Sequence, residues 1–322
     1  MYKNIFYIII TLLHFTIISF NVYAVLPTVA IANYGLHSSL EDSIVGLKEE
    51  LTRQGFIEGK TVNYEIKDVG FNAALIPQLI TQLKSKKPSV MVAMTTPIAQ
   101  YAKGKVKDIP LIYNVITDPV QAGLLQNSDI ANGNLTGSSD KQDLNTLLKF
   151  ARQLIPHASK VGILYATSEA NDLALVDMMK EAAKQNNMEV LAIPVEQARD
   201  VPIRMQAFKN KVDFIYVGTS GPIQPALPAI AAEANKMKIP VFNVNEEAVH
   251  NKLTLASFGV SYKQVGINAG KLVAEILKGK SVSSLKPLYP TISDHNGFIS
   301  RSKAESLNIK IPNNLSNVQI LD

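Results

Sequence analysis

The sequence predicts an α/β protein of two doubly wound parallel-sheet lobes, joined by a multi-strand hinge. Three observations predict it. From Thr28 onward, short β-branched runs alternate with amphipathic helical stretches, the rhythm of a parallel sheet wrapped in helices. The runs at 90–94 and 111–115 are apolar throughout, as strands buried on both faces are. The rhythm breaks at Asn132-Gly133-Asn134 and then restarts, so one architecture recurs within 322 residues. That length suffices for two lobes of ordinary size facing each other across a cleft.

The first series opens with strand 29–32. Leu40, Ile44, Leu47 and Leu51 recur at helical spacing, and Gly55 ends that helix. Strand 61–66 alternates its sides. Leu75, Ile76, Leu79, Ile80 and Leu83 mark a second helix before the strand ending at Met94. Pro97 suits the first turn of a helix running to about Lys105, and strand 111–115 follows. The second series reads helix 144–154, strand 161–165, helix 173–186 and strand 190–195. Helix 202–210, strand 214–217, helix 225–237 and strand 241–244 complete it. Tyr262, Val265, Ala269, Leu272, Val273 and Ile276 share one face of a last helix that Gly279 terminates. This helix is expected to return to the first lobe, giving a first lobe of 25–139 plus 254–282 and a second of 140–253 plus 283–322.

Ahead of both lobes, Lys3 is the only charge before an almost wholly apolar run from Ile5 to Phe20. Val22-Tyr23-Ala24 then places small or branched residues where a signal peptidase reads. Residues 1–24 therefore read as a cleaved secretory signal peptide. The alternative is an uncleaved anchor, but the run falls short of the roughly 18 to 20 apolar residues a spanning helix needs. The chain has no cysteine, which removes disulfides, thiol catalysis, thiolate metal sites and a lipid-modified N-terminal cysteine. A periplasmic product that is not a lipoprotein is expected.

Net charge is +5, with the basic residues dispersed. Lys84, Lys86 and Lys87 form only a short cluster at a helix end, where cations complement the helix dipole. No long basic run interleaved with aromatics occurs, so a nucleic-acid partner is not expected. The five histidines include no pair at metal-ligand spacing. The Gly-x-Ser-x-Gly elbow and the glycine-rich phosphate loops are also absent. Neither metal, cofactor nor catalytic residue is expected; a hydrolase or isomerase acting through strand-end acids is the weaker alternative.

Ligands of open parallel sheets bind beyond the carboxyl ends of the strands, so the polar residues there are the site candidates. Thr95 and Thr96 precede a helix start, where free N–H groups and the dipole suit a carboxylate; both also suit N-capping. Thr117 and Asp118 follow the next strand, and Asp118 either meets a ligand or fixes its own loop. Ser138 and Ser139 lie where the first lobe hands over to the second, as hinge residues, ligand donors or both. In the second lobe, Ser168 is a cap candidate, while Glu169 and Asn171 are within reach of a ligand. Thr219 and Ser220 follow one strand, and Asn243, Asn245 and Glu246 follow the next. Tyr34 and His37 follow the first strand, where a ring and a ring N–H either meet a guest or pack against the first helix. Tyr262, at the start of the last helix, is a candidate for either the cleft or the core.

Several segments together resemble the ABC-transporter substrate-binding family with the periplasmic binding protein type I, or venus-flytrap, fold. They are the run from Leu51 to Lys60, Thr96-Pro97-Ile98-Ala99-Gln100, Ile109-Pro110-Leu111-Ile112-Tyr113 and Thr117-Asp118-Pro119-Val120. Asn134-Leu135-Thr136-Gly137-Ser138-Ser139 and Ile239-Pro240-Val241-Phe242 complete the set. The similarity spans about Val29 to Pro312, and some members of that family bind aromatic amino acids. It implies a monomeric receptor that captures a small organic solute, such as an amino acid or related carboxylate, and delivers it to a membrane permease and its ATPase. A flytrap reporting to a signalling receptor is the alternative role. This chain carries Ser220-Gly221 and Ser261 where such relatives often carry an acid, and an acid there would partner a ligand ammonium.

Overall fold

A computed structural model describes residues 26–322; the signal-peptide reading of residues 1–24 lies outside the described residues. The first series forms β1 (Thr28–Asn33), α1 (Ser38–Arg53), β2 (Asn63–Asp68), α2 (Ile76–Ser85), β3 (Val90–Met94), α3 (Thr96–Lys105), β4 (Leu111–Ile116) and β5 (Leu135–Ser139). Its five strands are all parallel, in the order β2-β1-β3-β4-β5. β3 and β4 are buried at every position, which is why both runs are apolar without alternation.

The second series forms α4 (Leu144–Leu154), β6 (Lys160–Tyr165), α5 (Ala170–Gln185), β7 (Glu189–Pro194), α6 (Val201–Met205), β8 (Phe214–Val217), α7 (Leu227–Met237), β9 (Val241–Asn243), α8 (Glu247–His250) and β10 (Ala256–Val260). After them come α9 (Tyr262–Leu277), β11 (His295–Ser300), α10 (Arg301–Ser306) and β12 (Val318–Leu321). The second sheet runs β12-β11-β10-β9-β8-β6-β7. Its segment β7-β6-β8-β9-β10 repeats the winding of the first sheet, and only β11 runs antiparallel to its neighbour β10. The duplication seen in the sequence is thus a duplication of topology. Apolar layers cover both faces of this sheet, one built on α4 and α5 and the other on α6 and α7.

Three passages of chain join the lobes. The first leaves β5 at Ser139, and the second runs from β10 into α9. The third returns past Leu288, whose carbonyl accepts from the Ser139 N–H at 2.9 Å and whose N–H donates to the Gly137 carbonyl at 2.9 Å. α9 does return to the first lobe and packs against α1, β4 and β5. The boundary of that return needs correction. The segment from 254 was expected in the first lobe, but Ala256–Val260 pairs with β9 and β11 in the second sheet, so the return begins at Tyr262. Two glycines set the helix crossing: a Cβ on Gly266 would lie 1.9 Å from the Ser43 carbonyl oxygen, and one on Gly46 would lie 2.1 Å from that of Lys263.

Candidate ligand-binding site

The winding of each sheet reverses beside its first strand, between β1 and β3 and between β6 and β8. At such a switch point the crossover helices leave to opposite faces and open a crevice beyond the strand ends. The two crevices face each other and together bound a cavity. Tyr34 and His37 after β1, Thr95, Thr96 and Pro97 after β3, and Val115 and Thr117 at the end of β4 line one side. Glu169 and Asn171 at the start of α5, and Thr219, Ser220 and Gly221 after β8, line the other. Asp140 and Tyr262 close it from the interlobe passages.

Two wall positions carry backbone strain. Thr95 has φ 73 and ψ 157, a region that is almost exclusive to glycine. Val115 sits at φ 59 where the register of β4 against β5 shifts, an unfavourable conformation for a β-branched residue. The expected capping role of Thr95 is not what the structure shows. Thr95 occupies the N-cap position of α3, yet its hydroxyl makes no capping bond and is buried without a partner. Pro97 has no N–H, and α3 begins at the cavity with its positive dipole end uncapped by side chain.

Unfilled hydrogen-bonding groups gather here. Thr95 Oγ1, Asp140 Oδ1, Asn171 Oδ1 and Ser220 Oγ are all buried without partners, and all four residues line the cavity. Buried polar atoms in folded proteins are almost always paired, so this convergence marks a place made for a guest. Apolar and aromatic side chains supply much of the rest of the wall: Leu40, Phe71, Pro97, Val115 and Val244, with the rings of Tyr34 and Tyr262. Tyr34 and Phe71 meet edge to face, with centroids 5.5 Å apart at 79°, a favourable aromatic geometry.

Charge in the cavity is one-sided. No lysine or arginine lines it among the described residues, whereas Asp140 and Glu169 do. Burial lifts the Asp140 carboxyl to about 6, because the ionised form loses its water. Glu169 is raised for the same reason, although it accepts from the Asn171 amide and the Gly221 N–H, each at 3.3 Å. Just behind it, Asp172 is raised to about 7 by burial while accepting from the Ala166 N–H at 2.6 Å. Burial, and then the neighbouring Glu169, push the Tyr34 phenol to about 12. His37 is lowered by burial against the opposing pull of Glu247, Glu41 and Asp42. Its Nδ1 accepts from the Ser39 N–H at 3.3 Å, so the neutral ring carries its proton on Nε2 and can donate there.

Ten of the candidates surround the cavity: Tyr34, His37, Thr95, Thr96, Thr117, Glu169, Asn171, Thr219, Ser220 and Tyr262. Six do not; five of them are bonded elsewhere and Glu246 is exposed. Asp118 accepts from the Val120 and Gln121 N–H groups at 2.9 Å, fixing its own turn. Ser138 donates to the Val265 carbonyl at 3.0 Å and Ser139 to that of Ile116 at 2.6 Å, which ties the first passage to the first lobe. Asn243 donates to the Val217 carbonyl at 3.2 Å inside the second sheet. Asn245 donates to Ser38 and Ser39 across the lobes at 3.1 Å, and Glu246 is exposed at the start of α8. Ser168 does not cap α5; its hydroxyl donates to Glu196 at 3.0 Å. Sequence reasoning missed Asp140, Phe71, Gln224 and the apolar wall. Asp140 stands directly after the Ser138-Ser139 pair, and that position was its one sequence signal.

Comparison with known proteins agrees with this architecture. Residues 28–319 match the family model described as ABC transporter substrate binding protein, and the chain belongs to that family. It is a solute-binding protein. A tyrosine-binding protein of Clostridioides difficile is 32% identical over 77% of this chain and 72% of its own length. The solved structure of a conserved domain protein from Vibrio cholerae is 28% identical with a TM-score of 0.86, covering 92% of this chain and 99% of that one. A domain from Streptococcus pneumonia in complex with L-Trp gives the same TM-score at 23% identity, over 92% and 100%, a likeness of fold. Among the described residues, no helix is long and apolar enough to cross a membrane.

Proposed function

We propose that this protein is an exported receptor for an ABC importer whose solute is an amino acid with an apolar, aromatic-sized side chain. It would act in the periplasm as a monomer, deliver the solute unchanged to the permease, and perform no chemistry on it. The observation that carries this reading is the interlobe cavity, where four unpaired polar groups meet a mostly apolar wall. A zwitterion fits that division. Its carboxylate suits the uncapped start of α3 beside Thr95 and Thr96, its ammonium suits the acidic side, and its body suits Tyr34, Phe71 and Leu40. The tyrosine-binding relative supports the same class of solute.

Closure follows from the shape of the site. A guest touching both lobes binds the shut form better than the open one and shifts the population toward it. The test is calorimetry and thermal shift on the purified chain against L-tyrosine, L-tryptophan, L-phenylalanine and a set of sugars, with the recovered ligand analysed for turnover. Saturable binding of at least one aromatic amino acid, returned intact, is expected. Binding of a sugar but no amino acid would sink the reading, and a changed ligand would sink the claim that no catalysis occurs.

A further inference from the structure

Asp140 is the least satisfied charged side chain of the cavity. It is 1% exposed and stands on the passage that leaves β5. Its Oδ2 accepts from the Tyr262 phenol at 3.3 Å, the Thr117 hydroxyl is also near enough to favour its ionised form, and its Oδ1 has no partner. The other buried acids nearby are better provided for. Glu169 accepts from Asn171 and from a backbone N–H. Asp172 accepts from the Ala166 N–H at 2.6 Å and from Asn171 at 3.0 Å. With no lysine or arginine lining the cavity among the described residues, nothing in the surrounding protein balances Asp140. A buried carboxylate without a counter-charge is strongly unfavourable, whereas a paired and hydrogen-bonded one is tolerated.

We propose that Asp140 is the counter-ion for the ligand's ammonium group and that it selects primary amines against their deaminated analogues. Asp140 lines the cavity with an acceptor left free, and an ammonium brings both the missing donor and the missing charge. The Tyr262 phenol holds the other carboxylate oxygen. Burial raises the Asp140 carboxyl, as expected for an acid awaiting its cation. This assignment rests on the amino-acid reading above.

The experiment compares L-tyrosine with 3-(4-hydroxyphenyl)propionate, which keeps ring and carboxylate but lacks the amine, by calorimetry on wild type, Asp140→Asn and Glu169→Gln. Wild type should prefer tyrosine. Asp140→Asn should lose about 100-fold or more on tyrosine, the scale for truncating one partner of a buried charge pair, while its affinity for the analogue moves only a few-fold. Glu169→Gln should weaken both probes alike. Unliganded Asp140→Asn should melt no lower than wild type, since it removes an unbalanced charge; Asp140→Ser serves the same comparison if the Asn variant does not fold. Unchanged tyrosine binding in Asp140→Asn overturns the assignment, as does loss of amine preference in Glu169→Gln alone. Where tryptophan or phenylalanine is the amino acid that binds, it and its deaminated analogue replace this pair; if wild type binds no aromatic amino acid, the amino-acid reading falls and takes this assignment with it. If wild type binds both equally, only the assignment falls.

Discussion

Thr117 and Thr219 meet across the cleft, their hydroxyl oxygens 3.4 Å apart although the residues belong to different sheets. Gln121 donates to Asp177 at 3.2 Å and Asn245 to Ser38 at 3.1 Å over the same divide. These polar contacts are few, and the Gln121 one is exposed. Each such bond nets only about 1 kcal/mol, so the shut arrangement depends on whatever fills the space behind them.

Gly221 sits where the lobes come closest. A Cβ there would lie 2.7 Å from Glu169 Oε1 and 2.9 Å from a Tyr34 ring carbon on the opposite lobe. Gly221→Ala should therefore hinder closure while leaving each lobe folded. Calorimetry should show ligand affinity down by about tenfold or more, the scale of an overpacking penalty of 1–3 kcal/mol. Small-angle scattering should show the variant failing to compact on ligand addition. A variant that still compacts and binds normally would contradict this.

Thr95 separates strain from contact. Thr95→Gly should relieve the disfavoured backbone and raise unliganded stability by about 1 kcal/mol or more, yet weaken binding because the hydroxyl is gone. Thr95→Ala keeps the strain and loses the same hydroxyl, so it should weaken binding without the gain. Chemical denaturation of both variants, read beside their ligand affinities, checks this.

Stability should depend on pH in a direction set by Asp140 and Asp172. Their carboxyls are raised to about 6 and about 7 from 3.8, so the folded protein retains protons that the unfolded chain has released. Their contribution is complete below the unfolded value and is lost as pH climbs through the folded ones. Unliganded protein should thus melt higher near pH 5 than near pH 8, by an amount worth on the order of a few kcal/mol. Asp172→Asn should flatten that slope; a melting profile that rises toward pH 8 would refute the account.

Gly266→Ala should separate α1 from α9, because the new methyl would lie 1.9 Å from the Ser43 carbonyl oxygen. A loss of about 1–3 kcal/mol in urea unfolding is expected. Binding should weaken as well, since His37 and Leu40 stand at the cavity end of α1.

Most of the fold was legible because its signals are local. The apolar runs of β3 and β4 and the helical spacing of α1 and α2 follow from burial on a parallel sheet. β5 was not legible as a strand. Its Thr136, Ser138 and Ser139 read as loop, yet all are buried and bonded to carbonyls of the last helix region or of β4, which pattern alone does not reveal. β10 and β11 escaped because glycine, asparagine and serine interrupt them, and β12 because it is only four residues long. Strand-end position led to Tyr34, Thr95, Glu169 and Ser220, which line the cavity, and to Asp118 and Asn243, whose side chains bond within their own turn or sheet. Asp140 was not reached, because a passage between lobes has no periodicity to betray it. Ser220 and Ser261 stand where relatives often carry an acid, while buried acids lie at Asp140 and Glu169.

Asp140 and Tyr262 touch each other and the cavity, and both stand on chain that runs between the sheets. Pocket and pivot are therefore one piece of machinery. A substitution at either residue that retunes which solute is held also alters the joint on which the halves swing, so there selectivity and mechanical response change together.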